Sequence, residues 1–88
     1  MWKIERVEHE GVVVFALSGR IAGEQVAALQ RLVAAEAAEQ RIVLDLQEVQ
    51  LVDHDTVRFL VGCAADGTQL EHCPAYIRKW MARVRGAP

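Results

Sequence analysis

The chain has 88 residues, 52% of them hydrophobic and 25% charged, with 10 basic against 12 acidic side chains and a formal net charge of −2. This composition describes one ordinary globular domain and argues against disordered, collagen-like and membrane-spanning classes. A chain this short buries only about 60–65% of its unfolded surface, too little to wall off a deep enclosed cavity, which weighs against a self-contained enzyme.

The charge balance excludes bulk attraction to nucleic acid or anionic lipid. Its distribution is uneven, because no acidic residue follows Glu71 while Arg78, Lys79, Arg83 and Arg85 leave 6 basic against 12 acidic residues in the first 77. A basic end on an acidic body reads either as a surface for an acidic partner or as cations complementing a helix C-terminus.

In chain order, Trp2, Ile4 and Arg6 alternate with Lys3 and Glu5 as in a half-buried strand. Glu10-Gly11 marks a hairpin turn, and Val12 to Leu17 reads as a second strand covered on both faces. Gly23 to about Gln40 is rich in Ala, Leu, Gln, Arg and Glu, with Val26, Leu29, Val33 and Ala37 on one helical stripe. Arg41 to Leu46 is a strand-length, β-branched run, followed by a polar connection through Gln47, Glu48 and Gln50.

A second helix is predicted to begin near Asp53 to Asp55, capped by Asp53 or His54. Val57, Leu60, Val61 and Ala64 form its apolar stripe, and Gly67 stops it after Asp66. Thr68 to His72 is a short edge strand, and Pro74 fits the first position of a third helix whose stripe is Ile77, Trp80, Met81 and Val84. Trp80 is expected in the core and Tyr76 at its border as an exposed aromatic anchor.

The fold class is therefore α/β, a single small domain over residues 1–88 in the order β-β-α-β-α-β-α. Its four-stranded sheet is mixed, an antiparallel first pair followed by parallel crossovers, with helices packed on it. Ligands and partners meet such sheets beyond the carboxyl ends of strands, where Val52-Asp53-His54-Asp55-Thr56 lies.

Cys63 and Cys73 are separated by nine intervening residues, and the start MWKIERVEHE is charged where a leader would be apolar, so a reduced, cytoplasmic chain is expected. The longest aliphatic and aromatic run, Val12 to Leu17, falls far short of the ~20 residues that span a bilayer, so no membrane partner is expected. His9, His54, His72, Cys63 and Cys73 lack compact metal-ligand spacing and read as ordinary histidines and thiols, with no metal or cofactor implied. Between Asp53 and Asp55, the charged form of His54 is expected to be favoured, giving a pH-sensitive turn.

Asp53-His54-Asp55-Thr56-Val57 resembles the Asp-x-Asp-x-Thr/Val signature of haloacid-dehalogenase-type phosphotransferases. That resemblance implies, as one alternative, metal-dependent phosphoryl transfer using Asp53 and Asp55. The 31 residues after Val57 are too few to supply the usual lysine-bearing and further acidic motifs of such chemistry.

A broader resemblance spans roughly residues 4 to 73. The succession Leu17-Ser18-Gly19, an amphipathic helix, Val43-Leu44-Asp45-Leu46 and the turn at Asp53 is similar to the STAS domain family of anti-sigma-factor antagonists. It implies a non-enzymatic regulatory module whose partner is an anti-sigma factor or serine kinase, with a homodimer left open. Partner contacts would come from the start of the second helix, Asp53, His54, Asp55, Thr56, Val57 and Arg58. In the family, an Asp-Ser-Ser-Gly-Leu turn is phosphorylated on its second serine. Asp55 takes that position here and has no hydroxyl, so a serine-phosphorylation cycle is not expected, and Thr56 is a displaced candidate acceptor. Ala22 also stands where many members carry an acidic residue.

Overall fold

The computed structural model describes residues 2–36 and 39–86. Strands β1 (Trp2–His9) and β2 (Val12–Ile21) lead to helix α1 (Gly23–Ala34); β3 (Arg41–Val52), α2 (His54–Ala65), β4 (Gln69–Glu71) and α3 (Ala75–Arg85) follow. The sheet order is β1-β2-β3-β4, antiparallel between β1 and β2 and parallel across the other two pairs. This is the mixed sheet and element order expected from the sequence.

The hairpin closes with His9 opposite Val12, so only Glu10 and Gly11 turn the chain. Both take positive φ, 50° and 81°, the backbone that a two-residue hairpin loop requires to match strand twist. In β2, Val13, Phe15, Leu17 and Ile21 are buried, while Val12, Val14 and Ala16 between them are only half-buried. The strand is therefore covered fully on one face, not on both as its unbroken apolar run suggests.

The reason lies in the crossovers. A single core cluster joins Phe15 and Leu17 to Leu44 and Leu46 of β3, Leu29 of α1, Val57 and Leu60 of α2, and Ile77 and Met81 of α3, so the two crossover helices and the closing helix α3 share one face. Val43 stays outside that cluster, yet is buried on the opposite face between Val14 and Gln69.

β1 and β2 run a few residues beyond the sequence reading, to His9 and Ile21, and β4 is shorter, Gln69–Glu71, but β3 and α1 differ most. β3 continues through the expected polar connection to Val52, because Val49 and Val52 keep reaching the core opposite Gly19 and Ile21. Register shifts between Ala16 and Ser18 and between Gly19 and Arg20 make this continuation possible. Asp45 anchors the first of them: its Oδ1 accepts the Gln47 N–H at 3.0 Å and lies 3.1 Å from His72 Nδ1.

α1 ends at Ala34 instead of near Gln40, and Ala37 lies outside the described residues. Just past the helix end, the Glu36 carboxylate is held by both Nε and Nη2 of Arg6 on β1, each at 2.8 Å, which draws the chain back toward the sheet. At α3, Pro74 sits at the N-cap, one residue before the first helical position predicted for it. Trp80 is half-buried at the edge of the core rather than fully inside it. No helix among the described residues is long and apolar enough to cross a membrane.

Candidate functional site

The chain leaves β3 at Val52 and enters α2 at His54, with Asp53 extended between them as the N-cap. Asp53 Oδ1 accepts the Thr56 N–H at 2.9 Å and faces the Thr56 hydroxyl at 2.7 Å. This is the N-cap geometry that satisfies one of a helix's orphan donors. Its other oxygen, Oδ2, accepts the Gly23 N–H at 3.0 Å, in the first turn of α1. One carboxylate therefore holds the N-termini of two helices. The Thr56 hydroxyl, Thr56 N–H and Gly23 N–H all favour the ionised form and hold the Asp53 carboxyl below the ordinary carboxylate range.

α1 lacks a polar residue at its own N-cap, Ala22, and is completed from two sides. The Gln25 amide oxygen accepts the Ala22 N–H at 2.9 Å, and Asp53 takes the next donor. A Cβ built at Gly23 would lie 3.2 Å from Asp55 Oδ2 and 4.0 Å from Asp53 Oδ2, so the exposed Asp55 side chain would have to shift slightly to admit one. The 30-residue separation of Gly23 and Asp53 leaves no periodic signal in the sequence; the glycine at a helix start is the one available hint.

The six residues singled out in the sequence divide by position. Thr56 and Val57 are interior, at 2% and 0% exposure, and the Thr56 hydroxyl also lies 2.8 Å from the Ile21 carbonyl. Asp53 is half-buried and occupied by the two caps. His54, Asp55 and Arg58 are exposed. The interior pair shapes the turn from beneath while the exposed three form its outer surface.

The exposed three point to different neighbours. Asp55 lies on the α1 side against Gly23, and with Arg58 it borders a groove of about 890 Å³ between α1 and α2, floored by Val26, Ile42 and Phe59. His54 lies on the α3 side, its ring centroid 6.4 Å from that of Trp80 and tilted by 42°. The structure therefore pairs His54 with an aromatic ring, in place of the flanking carboxylates that the sequence order suggests. On the same side, the Tyr76 hydroxyl donates to the Gln50 carbonyl at 3.0 Å, and Tyr76 remains 44% exposed.

Among the described residues, no three His, Cys, Asp or Glu side chains form a set that could hold a metal ion. Both Asp53 oxygens are aimed at helix N-termini, so this carboxylate acts as a structural anchor in the observed geometry. Cys63 and Cys73 are free thiols. Burial, reinforced by Asp66, pushes the Cys63 thiol up to about 11, and burial raises that of Cys73 as well.

Comparisons with known proteins bear on the whole domain. The family model described as "Mlab, STAS domain" matches residues 4–83. Among solved structures, the anti-sigma factor antagonist SpoIIAA in its unphosphorylated form is similar at a TM-score of 0.66 and 18% identity, over 94% of this chain and 83% of that one. A structure of Mglu is similar at a TM-score of 0.61 and 23% identity, over 81% of this chain but 19% of that one, so this chain spans about a fifth of Mglu. No curated protein matches the chain. At these identities the two structures establish the fold.

Proposed function

We propose, from the premise that this chain belongs to the STAS domain family, that it is a non-enzymatic interaction and regulatory module that docks a partner protein through the start of α2. The observation that carries this reading is the division of the turn. Asp53, Thr56 and Val57 fix the first turn of α2 from within, leaving His54, Asp55 and Arg58 as a preorganised outer surface. A surface that is rigid before binding loses little conformational freedom on docking.

In this reading Asp55 is a permanent charge at the position where the family resemblance puts a phosphorylatable serine. The module is therefore not switched by serine phosphorylation there. Phosphorylation of Thr56 would require the turn to open, because its hydroxyl is buried between the Ile21 carbonyl and the Asp53 carboxylate. A phosphate of about −1.5 to −2 charge would also meet the Asp53 carboxylate at close range. An anti-sigma factor or serine kinase is the partner class that the resemblance suggests.

The test is capture of partners from a native lysate by the wild type, Asp55→Lys and Arg58→Glu, with circular dichroism confirming that each is folded. A partner retained by the wild type and lost on either charge reversal supports the assignment. Equal retention by all three removes this face from the interface, and a mass shift of one phosphate on Thr56 would overturn the unswitched reading.

A further inference from the structure

The start of α2 has two flanks of different chemistry, and we infer that the flank toward α3 receives an acidic segment of the partner protein bearing an apolar or aromatic side chain. This rests on the reading of α2 as a docking element and specifies which side is used.

Tyr76, Lys79, Trp80 and Arg83 recur at i, i+3, i+4 and i+7, which places them along one stripe of α3. Tyr76 and Trp80 are fixed while retaining exposed surface, the first by its hydroxyl on the Gln50 carbonyl and the second by packing on the core and facing His54. Next along β3 from that carbonyl, Leu51 is 52% exposed. Tyr, Trp and Arg, here Tyr76, Trp80 and Arg83, are the side chains enriched among those that dominate binding energy at protein interfaces.

The cations argue for the sign of the partner. The helix dipole accounts for Arg83 and Arg85 in the last turn of α3, but does nothing for Arg78 and Lys79 nearer its start. None of these four forms an ion pair among the described residues, whereas Lys3 and Arg6 on β1 are both paired with carboxylates. Lys79 and Arg83 share the stripe of the half-exposed aromatics, Arg78 and Arg85 add positive charge elsewhere on the same helix, and no Asp or Glu follows Glu71, so this flank complements an acidic chain. Nucleic acid is disfavoured because its phosphates would lie along a body carrying 12 acidic residues.

The test uses the ¹⁵N-labelled 88-residue chain and two synthetic peptides of equal length, one built from Glu, Leu and Phe and the other with every Glu replaced by Lys. The acidic peptide should give saturable shifts at His54, Tyr76 and the Trp80 indole N–H, weakened by added salt. Lys79→Glu combined with Arg83→Glu should reduce its affinity about tenfold with the circular dichroism spectrum unchanged. Both residues are exposed, so the double variant is expected to fold.

Shifts centred on Gly23, Asp55 and Arg58, equal binding of the basic peptide, or no binding at millimolar peptide would overturn the inference. So would preferential binding of single-stranded RNA or anionic phospholipid vesicles at the same salt. If Asp55→Lys abolishes partner capture while the double variant leaves peptide affinity unchanged, the docking-module reading stands and the α3 flank is wrong.

Discussion

Replacing Asp53 with Ala removes the side chain that holds the beginnings of both α1 and α2. Exchanging an aspartate N-cap for Ala costs about 1 kcal/mol at one helix. Here the part-buried Gly23 N–H also loses its acceptor, which adds roughly another 1 kcal/mol. The Thr56 hydroxyl is not stranded, because the Ile21 carbonyl remains 2.8 Å away. The total of about 2 kcal/mol corresponds to a fall in Tm of roughly 8–16 °C for a domain of this size.

The loss should also depend on pH. Asp53 has a folded pKa below its ordinary 3.8, so its stabilisation is complete above about pH 4–5 and disappears as pH falls through the lower folded value. Urea unfolding followed by tryptophan fluorescence, near neutral pH and again at about pH 3, measures both effects. The difference between wild type and Asp53→Ala should narrow in acid. A neutral-pH loss below about 0.5 kcal/mol, or a loss that does not change with pH, would refute the double-cap account.

Three further outcomes follow from other parts of the fold. Leu44 is fully buried, so Leu44→Ala should cost about 2–5 kcal/mol in urea unfolding, a large share of the stability of any domain this small; a smaller loss would mean that the core closes around the cavity. Gly67 has φ of 92° with open space where a Cβ would point, so Gly67→Ala should lower stability by about 1 kcal/mol through backbone strain alone, measured by thermal unfolding. Because Cys63 is buried with its thiol pushed up to about 11, iodoacetamide near pH 8 should label Cys73 first and Cys63 only in urea. Peptide mass spectrometry resolves the order, and equal labelling would contradict the burial of Cys63.

Local chemistry made most of the architecture readable from the sequence. The Glu10-Gly11 turn, the Asp53 cap, the stop at Gly67 and the stripe of α3 each depend on neighbours a few residues apart, and each lies where its residue types place it. Long-range pairing decided what the sequence left hidden. Gln47, Glu48 and Gln50 read as a connection because their polarity says nothing of Val49 and Val52 pairing with β2 through two register shifts. Just past the end of α1, Arg6 meets Glu36 across 30 residues, a contact beyond the reach of helical periodicity. At the turn, sequence adjacency suggested that His54 belongs with its flanking aspartates. Helix geometry instead sends successive side chains to different sides, placing His54 by Trp80 and Asp55 by Gly23.

β1 forms an outer boundary of the sheet, eight residues long, with one side paired to β2. Its other side offers backbone donors and acceptors to any extended chain, the usual starting point for edge-to-edge aggregation. The pairs Lys3–Glu5 and Arg6–Glu8, at 2.8 and 3.0 Å, act as gatekeepers: an incoming strand would have to desolvate or displace charges of both signs. Strong acid would discharge Glu5 and Glu8 and weaken that barrier while Val7, 57% exposed, still offers an apolar contact. The charges that add little to the stability of the folded domain thus oppose pairing along the β1 edge near neutral pH.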